Sequence, residues 1–209
     1  MLLDIHTHHQ PNVLSEAIQN ISFKEFQAQK GGYYSVGIHP WDVTSNWETD
    51  FDVLRKTATD DRIIAIGEVG IDRFVTDNIM LQKAAFERQI ALSEELRLPL
   101  IIHCVKCYNE LIQLKRDLHP KQPWIVHGFR NNPFIAERLL SEDMYISFGD
   151  RYQSTVVQMV PDEKLFVETD ESESDIRLII KGIADVKGKR SDDFIWQIDT
   201  NVQHVFFKH

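Results

Sequence analysis

Positive charge is in short supply in this sequence. Lysine and arginine number 23 against 32 aspartates and glutamates, a formal net charge of −9 at pH 7. That balance argues against a broad basic face gripping nucleic acid through many phosphates. It leaves room for a phosphate-bearing substrate at a site where bound divalent cations set the local field and some of the excess carboxylates serve as ligands. Long apolar runs are missing as well: no stretch of about eighteen apolar residues occurs, so no membrane span is expected. The N-terminus has no basic region and Asp4 interrupts its apolar start, so it does not read as a signal peptide. A cytoplasmic location is the default. Cysteine is scarce, with only Cys104 and Cys107, which fits a reducing compartment. One Cys-x-x-Cys pair without a second is a weak zinc signal and reads as two reduced thiols. Tandem repeats and low-complexity segments are absent. What remains is ordinary globular composition, 43% hydrophobic over 209 residues, enough for a single domain spanning residues 1–209.

Short, β-branched apolar runs recur, each ending in a polar residue and followed by a helical pattern. Strands are expected over residues 2–6, 33–38, 63–66, 98–102, 124–126, 144–148 and 164–168. Helices are expected over 15–29, 46–59, 78–96, 108–118, 133–141, 175–180 and 192–207. In helix 78–96 the apolar positions Leu81, Ala84, Ala85, Ile90 and Leu92 mark the face toward the core. Alternation of this kind means parallel sheet covered by helices. Seven such units without a linker point to a (β/α) barrel of TIM type, shortened or distorted, its eighth strand missing or irregular. A doubly wound open sheet is the structural alternative.

The chemistry gathers where these strands end. In Asp4-Ile5-His6-Thr7-His8, strand alternation points Asp4, His6 and His8 the same way. Later strands end at His39, Glu68, His103, His127 and Asp170. Each has a plain structural role open to it. His39 precedes Pro40 and can shape a turn, His103 and His127 can be hydrogen-bonded core histidines, and Asp170 can cap a helix. In a parallel barrel, however, the C-terminal strand ends share one mouth. Imidazoles and carboxylates converging there suit two divalent ions, with one Glu able to bridge them. No Ser, Cys or Lys stands as an obvious nucleophile, so water activated at the metals is the economical attacking group. Asp4 lies one pleat deeper and reads as support for a histidine. His9 points to the opposite face, and His204 and His209 read as surface residues. Trp41, Phe74, Tyr108 and Phe129 follow strand ends, where they can pack or stack on a base or sugar.

Taken as a set, Asp4-Ile-His6-Thr-His8, Gly37-Ile-His39-Pro40, Gly67-Glu68-Val-Gly70-Ile-Asp72, Pro99-Leu-Ile-Ile-His103, His127-Gly-Phe129 and Glu168-Thr-Asp170 resemble the TatD family of metal-dependent deoxyribonucleases, a branch of the amidohydrolase-like barrels. The likeness reaches into the tail, at Gly182–Lys189 and at Asn201–Phe206. It implies that His6, His8 and Asp170 hold one metal, that Glu68 bridges, and that His103 and His127 hold the second. Glu68 and Asp170 become the catalytic pair, with Asp170 orienting or deprotonating the attacking water. It also implies hydrolysis of DNA phosphodiester bonds with Mg²⁺, whereas the His-rich ligand set itself suits Zn²⁺ or Mn²⁺.

The chain departs from the family pattern in its loops. Cys104-Val105-Lys106 follows the fourth-strand His, and Gly128-Phe129-Arg130-Asn131-Asn132 follows the fifth. Lys106 and Arg130 are the expected phosphate contacts there. Two other readings stay open: a related enzyme cleaving a small ester, lactone or phosphoester, and a non-catalytic protein with a relic metal site. A monomer is the default.

Overall fold

The computed structural model describes residues 1–75 and 78–207. Eight parallel strands close into a barrel: β1 (Asp4–Thr7), β2 (Ala17–Asn20), β3 (Tyr33–Val36), β4 (Ile63–Asp72), β5 (Leu100–Val105), β6 (Trp124–Val126), β7 (Tyr145–Phe148) and β8 (Leu165–Val167). Each pairs with the next, and β8 returns to β1 through Val167 opposite Asp4. Helices α1 (Trp47–Thr57), α2 (Ile79–Leu96), α3 (Tyr108–Leu118), α4 (Pro133–Ser141), α5 (Ser154–Met159), α6 (Ile176–Val186) and α7 (Ser191–Phe206) accompany the strands. The barrel is therefore complete, and an open sheet is excluded.

The strand missing from the sequence reading is β2. It lies within residues 15–29, where a helix is expected, and only Ala17–Asn20 is regular there beyond a short 3₁₀ turn. Ile18 is fully buried and pairs with Tyr33 of β3, while Ala17 pairs with Asp4 of β1. A four-residue apolar-to-polar run is ambiguous between helix and strand on pattern alone. The gap between β1 and β3 decides it, because only a strand there satisfies the facing backbone groups of both neighbours.

Helix α2 also differs from the pattern that predicts it. Leu81 and Met80 are exposed, whereas Gln82, Gln89 and Ser93 are buried with Ala85, Phe86 and Ile90. The two glutamines, seven residues apart and so on one face, bond to barrel backbone. Gln89 brackets Ile38, accepting from its N–H at 2.7 Å and donating to its carbonyl at 3.2 Å. Gln82 accepts from the N–H of Asp72 at 2.9 Å and donates to its carbonyl at 3.3 Å. The first fixes the backbone beside His39, and the second fixes the end of the strand that carries Glu68. The opposite wall is seated by α7, where Phe206 meets Phe166 of β8 with ring centroids 5.8 Å apart and Asn201 donates to the carbonyl of Leu165 at 2.9 Å.

Strands β4 and β5 are in tight contact at Gly70, which has φ +143°, and a β-carbon there would overlap the carbonyl oxygen of His103. Only glycine combines that backbone with that contact. Gly70→Ala is expected to lower stability by about 2–3 kcal/mol, measured by denaturant unfolding. An unchanged midpoint would show that the two strands separate at little cost.

Candidate metal centre

Glu68 stands at the centre. It lies inside β4, not at its end, because the strand continues to Asp72. The pairing of β4 with β5 shifts register between Ile66 and Val69, an irregularity of the kind that re-aims a side chain. Its Oε2 lies 3.4 Å from Nε2 of His6 and 3.2 Å from Nε2 of His8. Its Oε1 lies 2.7 Å from Nδ1 of His103, 2.7 Å from Nε2 of His127 and 3.3 Å from Nε2 of His39. Asp170 approaches from the other side, its Oδ1 3.7 Å from Nε2 of His6 and 3.6 Å from Nε2 of His8. Asp170 has φ +56°, a left-handed conformation that aspartate tolerates better than most residues. Every residue expected at the centre is thus within reach of Glu68 or Asp170.

The outer nitrogens of the imidazoles divide them into two kinds. Nε2 of His103 lies 3.0 Å from Oδ2 of Asp72, and Nδ1 of His127 lies 3.3 Å from Oε1 of Glu168. A neutral ring that donates to such a carboxylate presents the lone pair of its other nitrogen to Glu68 and to any ion beside it, the arrangement typical of histidine ligands. His39 is the reverse. Its Nδ1 accepts from the backbone N–H of Trp41 at 3.2 Å, so the neutral ring carries its proton on Nε2. His39 therefore faces the centre as a donor.

Asp72 and Glu168 are the partners that the sequence reading did not single out. Both lay within quoted motifs, and the signal was spacing. Asp72 is four residues beyond Glu68 on one strand, and Glu168 is two before Asp170.

A family model described as TatD related DNase matches residues 4–207. The chain belongs to the TatD family. Among curated relatives, the metal-dependent hydrolase YabD of Bacillus subtilis is 29% identical over 66% of this chain and 58% of its own length. The 3'-5' ssDNA/RNA exonuclease TatD of Erwinia tasmaniensis is 29% identical over 65% of the chain and 56% of its own. This TatD-family chain thus spans less than two thirds of these relatives' lengths. The fold is also that of YJJV, a TatD homologue from Escherichia coli, with TM-score 0.87 at 17% identity over 100% of this chain and 98% of that one. A TatD-family hydrolase from Entamoeba histolytica matches with TM-score 0.80 at 18% identity, over 99% and 98%.

The residues of this TatD centre fit divalent ions. His6 is fully buried, and neither of its ring nitrogens has a hydrogen-bond partner among the described residues. A buried imidazole left so is costly unless a cation takes a lone pair. Three groups hold ligand atoms within 4.8 Å of one another: His6, His8 and Glu68; His6, His127 and Asp170; His39, Glu68 and His103. Asp4 stands outside them. It accepts from the N–H of His6 at 3.2 Å, from the N–H of Thr169 at 3.1 Å and from the hydroxyl of Thr169 at 2.6 Å, so it supports backbone and not a ring. Burial pushes its carboxyl up to about 7 against those hydrogen bonds.

Lys106 and Arg130 both line the cavity of about 950 Å³ that opens over the centre. Cys104 and Cys107 are free and buried, their sulfurs 3.3 Å apart, with the Cys107 thiol donating to the carbonyl of Ile71. Burial and the Cys107 thiol hold the Cys104 thiol well above its usual range, which keeps it unreactive. His9 turns outward to the carbonyl of Glu171, and His204 is exposed. His209 lies outside the described residues.

Without an ion the charges pair internally. Burial disfavours ionised Glu68, but the His127 imidazole and hydrogen bonds from His103, His127 and His39 outweigh it and hold the carboxyl well below the usual range. Burial opposes a charged His127, yet Glu68 and Glu168 raise it well above the ordinary imidazole value. His8 is raised by its hydrogen bond to Glu68, against a smaller effect of burial. Metal must displace protons from these rings. Metal affinity is therefore expected to climb with pH, by about tenfold per unit for each proton displaced, from below the ordinary imidazole value up through the raised ones. Above them it should level off. Calorimetric titration in two buffers of different ionisation enthalpy checks this, and no proton release would refute it.

Proposed function

We propose that this chain is a divalent-metal-dependent phosphodiesterase acting on nucleic acid, its single barrel carrying a two-ion centre. The observation that carries the reading is His6: an imidazole sealed from water, with no hydrogen bond at either nitrogen among the described residues, and with Glu68 and Asp170 near its Nε2. His6, His8 and Asp170 would hold one ion and His103 and His127 the other, with Glu68 within reach of both sets. Such ions act as Lewis acids on a phosphoryl oxygen and make water a competent nucleophile near neutral pH. Asp170, on the side open to the cavity, accepts the proton of the attacking water. Asp72 and Glu168 hold His103 and His127 in the orientation that ligation needs. His39 offers Nε2–H to a substrate oxygen. Magnesium, manganese and zinc each suit part of this set.

Nucleic acid is supported by the name of the Erwinia tasmaniensis relative and by two cavity cations, Lys106 and Arg130. Two cations suit one or two phosphates and not a long duplex track, in keeping with the net charge of −9. Among the described residues no helix is long and apolar enough to cross a membrane. The reduced cysteine pair supports a cytoplasmic setting.

Metal analysis of the purified protein, with assays on single-stranded DNA, duplex DNA and a generic phosphodiester, tests the proposal. Chelation should abolish cleavage and added metal restore it. His6→Ala should lower kcat/KM by about 10³-fold or more, an effect of about 4 kcal/mol, with the circular dichroism spectrum kept. Retained cleavage in that variant would sink the assignment, and turnover of small esters alone would replace nucleic acid as substrate. For single strands the slope of log affinity against log salt should be near about −1.4, two contacts at about 0.7 each, read from KM across a salt series.

A further inference from the structure

Four aromatic residues follow strand ends around the cavity, and the structure separates them into two pairs. Phe129 is 1% exposed and packs edge-to-face on Phe148 and Tyr108, with centroids 6.2 and 5.9 Å apart. Phe129 is core, and Tyr108, half-buried, packs against it at the cavity wall. Trp41 and Phe74 are 62% and 68% exposed, although both line the cavity over the metal centre. Packing does not account for them.

Both are nevertheless held in place, and by one side chain. The indole N–H of Trp41 donates to Oδ2 of Asp72 at 2.7 Å, and the backbone N–H of Phe74 donates to Oδ1 of the same carboxylate at 2.8 Å. Asp72 also receives His103. The Trp41 ring lies 6.2 Å, centroid to centroid, from that of His103. Lys106 sets its ammonium 4.1 Å from the centroid of the Phe74 ring. Exposed, pre-positioned rings with a cation beside them make the surface on which unpaired bases stack.

Resting on the phosphodiesterase reading above, we propose that Trp41 and Phe74 form a stacking subsite for the nucleobase next to the phosphate being cleaved, with Lys106 meeting a neighbouring phosphate. A base inside a duplex has no free face to offer. The subsite therefore selects single-stranded or unpaired ends, and it reads no base in particular, because every base has a π-face.

The test is steady-state cleavage of a single-stranded oligothymidylate by the metal-loaded protein. The same strand with an abasic residue beside the cleaved bond serves as comparison. Trp41→Ala and Phe74→Ala should each raise KM on the intact strand by about tenfold or more and change kcat little. On the abasic strand the same substitutions should cost nothing. Trp41→Phe keeps a ring but loses the donor to Asp72, so it should leave KM near the wild-type value. Equal penalties on both strands, or an unchanged KM in Trp41→Ala while wild type cleaves, would overturn the subsite alone. A wild-type protein that cleaves no oligonucleotide would overturn the phosphodiesterase reading. In that case quenching of tryptophan fluorescence by oligothymidylate, present in wild type and absent in Trp41→Phe, decides the subsite separately. No quenching in wild type would overturn it as well.

Discussion

The seam between β1 and β8 is the contact on which the rest depends. Asp4 and Thr169, 165 positions apart, are joined there by the threonine hydroxyl and N–H. Just beyond, the N–H of Asp170 donates to the carbonyl of His6 at 2.9 Å, and the N–H of His8 donates to the carbonyl of Asp170 at 3.0 Å. These bonds finish the cylinder and also bring the first two ligands against the last. A barrel left open at this edge would keep most of its helices and strands yet hold only part of a metal centre. Asp4, 5% exposed, is a buried carboxylate that binds both edges of this seam at once.

A second constraint is charge. One carboxylate, Glu68, lies against five imidazoles, and Glu168 and Asp72 back two of them from behind. Burying so many ionisable groups is unfavourable unless each finds a partner. Most do. His6 has ion-pair approaches alone, 3.4 Å to Glu68 and 3.7 Å to Asp170, with no hydrogen bond at either nitrogen among the described residues, and it sits where two ligand groups overlap, so the unmet requirement falls at the place an ion would occupy. The outer hydrogen bonds then settle which rings are free to ligate, and His39 is set apart from His103 and His127 by a single backbone N–H.

Much of this was legible in the sequence, since strand alternation and the shared mouth of a parallel barrel are regular rules. The residues at strand ends and the helices α3 and α4 followed from them, while the division of those residues into ligands came from the resemblance to the TatD family. Strand β2 did not, because its four residues carry too little pattern to beat a helical reading, and neighbouring strands decided it. The length of β4 was hidden by Gly67 and Gly70, which look like breaks and instead admit close approach. Gln82 and Gln89 were not among the positions marked toward the core, for polarity alone does not reveal that a barrel backbone waits for them. Asp72 and Glu168 sat inside recognised motifs, but which ring each carboxylate meets depends on three-dimensional placement.

Those two glutamines have a consequence for how the centre behaves. Primary amides do not titrate, so the clamps on Ile38 and Asp72 hold equally well in acid and in base. The centre beside them is built of imidazoles and carboxylates, whose roles as donors and acceptors change when a proton is gained or lost. The protein has thus placed its ionisable groups on a mount made of non-ionisable ones. The two backbone anchors therefore do not depend on the proton count of the side chains they carry.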